Sequence, residues 1–147
     1  MFGFMIFLHI SGLLGWLGAL LGILVTMLLL RKQLGTPDAN SLAGKTIRVF
    51  GRIAHPSSIL VLLSGVYLIL QMGIGTEKPL WLQVMEKGGG TIILLAVIFT
   101  AVLGSKMNKR LNSAADGTSV RLTGYLSTVG VFMFLIVSVV FVVSLKL

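Results

Sequence analysis

The amino-acid sequence predicts an all-α, polytopic membrane protein, a bundle of four transmembrane helices with both termini outside. Three observations predict it. Hydrophobic residues make up 56% of the 147 residues and charged residues 11%, with a mean hydropathy of +1.03, far from the balance of a soluble domain. The apolar residues fall into four runs, each close to or above the roughly 20 residues that a helix needs to cross the hydrocarbon core. The basic residues collect in the connections between those runs.

The first run, about residues 2–30, contains no Asp, Glu, Lys or Arg. It has no basic segment ahead of it and is about twice as long as a signal-peptide core, so it reads as the first transmembrane helix. The second spans about residues 54–72, with Pro56 expected in its first turn, where a missing N–H costs nothing, and His55 biased away from helical geometry. Ahead of it, "SLAGKTIRVFGRIAH" sets Leu42, Val49, Phe50 and Ile53 on one helical face and Lys45, Arg48 and Arg52 on the other. Two readings fit: a short helix lying on the inner leaflet, or an inward extension of helix two. The third run, about 80–105, begins in "EKGGG", and the fourth, about 122–145, is "LTGYLSTVGVFMFLIVSVVFVVSL". Together they make one domain over residues 1–147, with no length left for a soluble catalytic module.

Direction follows from the cations. Arg31, Lys32, Lys45, Arg48 and Arg52 lie between helices one and two, and Lys106, Lys109, Arg110 and Arg121 between three and four. Between two and three there are only Lys78 and Lys87, matched by Glu77 and Glu86. By the positive-inside rule the first and third connections face the cytoplasm of a bacterial cell membrane. The same placement explains the net charge of +8 without nucleic acid, since the cations border apolar spans. With no cysteine in the chain, disulfides, thiolate metal sites and Cys nucleophiles are excluded. The seven Met are scattered and read as apolar filling.

Within helix one His9 is the side chain that can carry a charge near neutral pH. Residues three, four and seven positions apart share a helix face, which aligns His9, Leu13, Trp16 and Leu20. Beside them runs a small stripe, Ser11, Gly15, Gly18 and Gly22, of the kind that lets a neighbouring helix approach. The His9 side therefore faces protein. Two readings of the imidazole remain: a hydrogen bond to a hydroxyl or a backbone carbonyl, or a role as ligand or in proton transfer. His55 lies at the other end of the membrane, about 15 to 20 Å away in depth at 1.5 Å per residue, so the two histidines cannot bind one haem iron. Lys87 stands at the depth of His9 and would reach it if helices one and three are neighbours; as an alternative it anchors at the interface. Trp81 reads as an aromatic-belt residue.

His9 followed seven positions later by Trp16, "PSSILVLLSGVYLIL" with Pro56 and Gly65, and "PLWLQVMEKGGGTIILL" resemble the first three helices of the small membrane protoporphyrinogen oxidases of the HemJ type and of the related CopD-like membrane domains. The resemblance covers about three of the four spans. It implies haem b at His9, with Lys87 as second ligand or propionate partner and Trp16 beside the cofactor. The Trp81-to-Lys87 interval is longer than in that family, and "LLLRKQLGTPD" replaces its basic-aromatic signature after helix one. The resemblance is therefore to a small relative within the superfamily rather than to an oxidase proper. The expected function is haem-associated redox or porphyrin chemistry, His9 being the axial metal ligand and a quinone or porphyrin in the bilayer the partner. The alternative is a non-catalytic membrane subunit or assembly factor docked in a homo-oligomer or larger membrane complex through its glycines.

Overall fold

In a computed structural model of the chain, which describes residues 1–73, 78–113 and 120–145, the four apolar runs become four helices. They are α1 (Phe2–Leu30), α2 (Pro37–Gln71), α3 (Leu80–Ser113) and α4 (Thr123–Ser144). All four are long and apolar enough to cross a membrane, and the protein is an all-α four-helix bundle with membrane-like surfaces. Glu77, matched with the cations of the second connection, lies outside the described residues, as does most of the segment between α3 and α4.

The reversal after α1 takes few residues because the sequence there is all turn and cap. Gly35 adopts a φ of 110°, open to glycine at no steric cost, and its N–H donates to Asn40 Oδ1. Thr36 caps α2 by accepting from the Ala39 N–H, Pro37 stands in the first turn, and Asp38 complements the helix dipole. Helix two consequently begins at Pro37 rather than near residue 54, and "SLAGKTIRVFGRIAH" is its extension, not a separate interfacial helix. The third helix likewise runs on to Ser113 instead of ending near residue 105. With 35 and 34 residues, α2 and α3 are each about 50 Å long, some 20 Å more than the hydrocarbon core. The excess of both lies at the basic end of the bundle, where Gly104 packs against Ile47 and Gly44 against Asn108.

Pro56 stands inside α2, not in its first turn, and His55 is helical. A proline there leaves the Arg52 carbonyl without its usual donor. Side-chain hydrogen bonds surround the break: His55 Nδ1 donates to the Gly51 carbonyl at 2.6 Å and Ser58 Oγ to the His55 carbonyl at 2.7 Å. Local bonds of this kind let a membrane helix tolerate proline.

The helices are arranged in a square: α1 touches α2, α2 touches α3, α3 touches α4, and α4 returns to α1, leaving α1 and α3 on one diagonal. The closest seam joins α1 to α2. A Cβ at Gly12 would fall 2.8 Å from Val61 Cγ2, at Gly15 2.8 Å from Ser57 Oγ, and at Gly22 2.7 Å from the Phe50 ring. Gly18 has nothing within 4 Å and is exposed. The small stripe is corrected accordingly: its contact line is Gly12, Gly15 and Gly22, with buried Ala19 where Gly18 was expected, because the seam stays on the face turned toward α2.

Between the residues that line the bundle's two cavities, each helix carries a side chain almost fully shielded from the surface, at the waist of the bundle. Trp16 of α1, Ser58 of α2, Ala96 of α3 and Val129 of α4 are 1%, 0%, 0% and 0% exposed. The set combines one large indole with three smaller residues, a mixture by which unequal side chains reach full packing density. On either side of this waist the four helices part around a cavity.

Candidate functional site

The cavity at the end that carries the termini has a volume of about 240 Å³. It is lined by His9 and Leu13 of α1, by α2 from Val61 to Ile69, by α3 at Met85, Glu86, Gly89, Gly90 and Ile93, and by α4 from Ile136 to Ser144. Most of that wall is aliphatic; its polar side chains are the His9 imidazole, the Glu86 carboxylate and the Ser144 hydroxyl.

His9 is held by α2. Its Nδ1 lies 3.0 Å from the Val61 carbonyl oxygen and 3.1 Å from Ser64 Oγ. A carbonyl oxygen only accepts, so Nδ1 carries a proton and donates. Ser64 directs its own hydroxyl proton to the Leu60 carbonyl at 2.6 Å, leaving its oxygen to accept from His9. In the neutral ring the lone pair then resides on Nε2. Gly65 makes room for the imidazole: a Cβ there would stand 3.2 Å from Cε1 and 3.5 Å from Nδ1. Ser57, Ser64 and Gly65, with Val61 among them, form one line of α2 at helical spacing, mostly small residues that mark the face receiving α1. Of the two readings of His9, the hydrogen bond to a carbonyl and a hydroxyl is present. It is also the arrangement by which ligand histidines are oriented, one nitrogen bonded to the protein and the other directed to a metal.

Opposite, α3 enters the bundle through a π-helical segment, Val84–Gly89, between a regular turn at Leu80–Gln83 and the long α-helical part at Gly90–Ser113. Such wide turns occur frequently at functional sites. Lys78 straps this entrance by donating to Glu86 at 2.6 Å, with both side chains about one-third exposed.

The expected site residues are not brought together. His9 reaches the cavity. Lys87 is exposed and does not line it, because the cavity face of α3 runs through Met85, Glu86, Gly89 and Gly90, and because α1 and α3 are diagonal rather than neighbouring. Trp16 belongs to the waist. His55 faces the other cavity. Met85, counted from the sequence as apolar filling, is the α3 residue that places a soft donor in the cavity with His9.

Among the described residues no three of His, Cys, Asp and Glu come together as a metal-ligand group. A bare ion would need such a set, whereas a haem brings its own four nitrogens and asks the protein for axial donors. His9 and Met85, on diagonal helices, both line the largely aliphatic cavity. No family model, curated protein or solved structure matches the chain, so the resemblance to the HemJ-type oxidases and CopD-like domains rests on the residues quoted for it.

Proposed function

We propose that the protein is a haem-associated membrane protein in which His9, through Nε2, and Met85 would hold the haem iron, Met85 in place of Lys87. The observation that carries this reading is the pair of bonds from Nδ1 to Val61 O and Ser64 Oγ, which assigns the proton to one nitrogen and leaves the other as a donor at the cavity wall. Bound haem would supply one-electron chemistry, its potential set by axial ligands and dryness. The residues of this chain hold the imidazole in one tautomer, exclude water with aliphatic walls, and close the site from the basic end with the waist. A quinone or porphyrin in the bilayer is the natural exchange partner for such a site.

The topology proposed with it puts both termini outside a bacterial cytoplasmic membrane, from nine basic residues in or beside the first and third connections against two in or beside the second. Reporters fused after Lys45 and after Gly73 are expected to read inside and outside; the reverse result would overturn the orientation. For the cofactor, the protein extracted in detergent from cells supplied with haem is expected to show a Soret band. A colourless, folded preparation that also fails to take up added hemin would exclude haem, and the non-catalytic subunit reading would replace it.

A further inference from the structure

The second cavity, at the basic end, has a volume of about 400 Å³ and a different lining. From the geometry we infer that it is a binding site for a phosphate group, either the headgroup of an anionic phospholipid or a soluble phosphate compound. Arg48, Arg52 and His55 occupy one face of α2 at spacings of four and three, and all three line the cavity. Across from them α3 contributes Thr100, Ser105 and Asn108, and α4 contributes Tyr125. No carboxylate is in the lining, and neither arginine has an acidic partner among the described residues, where the ion pair found is Lys78 with Glu86 at the opposite end.

Two guanidiniums one helical turn apart, with the Asn108 amide across from them, offer more donors than a carboxylate has oxygens to accept, while Thr100 donates its hydroxyl proton to the Ala96 carbonyl and keeps only its oxygen for a ligand. A phosphate, with three or four oxygens around one centre, matches them, and arginine is the side chain suited to its planar, bidentate recognition. His55 complements the arginines: with Nδ1–H on the Gly51 carbonyl, Nε2 accepts from a protonated phosphate oxygen in the neutral ring and donates to an unprotonated one as the imidazolium. Asn108 supplies an independent mark. Its Oδ1 lies against Gly44 rather than in the cavity and is the one buried side-chain oxygen or nitrogen without a hydrogen-bond partner among the described residues, a cost that turning the amide toward a ligand would relieve. Rotation of that amide offers either its oxygen to a ligand hydroxyl or its NH₂ to a phosphate oxygen. Gly51 and Gly104, both in the lining, keep the space between these groups open. The position suits a lipid: basic pockets between membrane helices at the cytoplasmic side are receptive to anionic headgroups.

The test uses the full chain in detergent, with native mass spectrometry after addition of phosphatidylglycerol or of phosphatidylcholine with the same acyl chains. A parallel arm measures thermal unfolding with inorganic phosphate against chloride at equal ionic strength. Retention of phosphatidylglycerol over phosphatidylcholine is expected, weakened about tenfold in the double variant Arg48→Gln/Arg52→Gln. The double variant Lys45→Gln/Lys109→Gln, which removes the same charge from exposed positions outside the cavity, is expected to bind as the wild type does. The unfolding midpoint of each variant without ligand separates loss of binding from loss of fold, and Asn108→Ala serves as a second probe should the arginine variant be unstable. A phosphate-dependent rise in the midpoint that the arginine variant loses would assign the site to a soluble compound; preference for phosphatidylglycerol alone would assign it to lipid. Equal weakening by both double variants, or no binding of either phosphate source, would overturn the proposal.

Discussion

The two cavities are built from the same four helices and differ in how their histidines are held. His9 is fixed by a neighbouring helix, through the Val61 carbonyl and Ser64. His55 is fixed by its own, through the Gly51 carbonyl one turn back. A bond to another helix exists only when the bundle is assembled, so His9 takes its orientation from tertiary structure, and the cavity it faces is aliphatic. The His55 bond can form in the isolated helix, and its cavity is rich in donors. One imidazole thus turns a lone pair away from its helix partner in a mainly aliphatic cavity, and the other is an additional polar group in a cationic one. The position of a histidine in the bundle, more than its identity, decides its chemistry.

The largest effect should come from exchanging the two. His9→Ala is expected to abolish the Soret band of haem-loaded protein, while His55→Ala leaves it within the range of wild-type preparations; the reverse result would move the redox site to the basic end. Next come the glycines of the seam that hold His9 against α2. Gly22→Leu would drive a branched side chain into the Phe50 ring, which already lies 2.7 Å from a bare Cβ. Overpacking of this kind costs about 1–3 kcal/mol, measurable as a lowered unfolding midpoint in detergent. Gly18→Leu, with open space around it, should leave the midpoint near that of the wild type, and equal losses in both would show that the seam has been misplaced. The smallest effect separates Met85 from Lys87. Met85→Ala is expected to shift the haem bands and lower the midpoint potential without emptying the site, because removal of a thioether ligand disfavours the reduced iron. Lys87→Ala should change neither, and a spectral shift confined to Lys87→Ala would restore the lysine as the ligand.

Much of this molecule is legible in its residue order because a bilayer makes the same demand of every spanning segment. Each must satisfy its backbone internally and show lipid an apolar surface, so the four runs, the charge in their connections and the protein-facing side of His9 follow from composition and period. Apolar composition, which begins helix two near residue 54, misses the start of α2, although "GTPDAN" carries the signal: turn glycine, cap threonine, first-turn proline and aspartate stand in the order a helix N-terminus uses. The bundle overrode one local rule at Pro56: the bias against helix before proline was outweighed by the continuous packing of α2 on α1.

What tertiary structure alone decided is which faces meet. Sequence period places Gly15, Gly18 and Gly22 on neighbouring faces without saying which one α2 covers, and exposure of Gly18 depends on the seam passing through Ala19. It likewise places Lys87 at the depth of His9, yet depth does not make two helices neighbours. With α1 and α3 on a diagonal, the residues that share the His9 cavity are those on the inward face of α3, Met85 and Glu86. Spanning is a property of a single helix and is written in local composition. A site between four helices depends on their order around the bundle and on the rotation of each about its axis, both set by contacts between segments far apart in the chain.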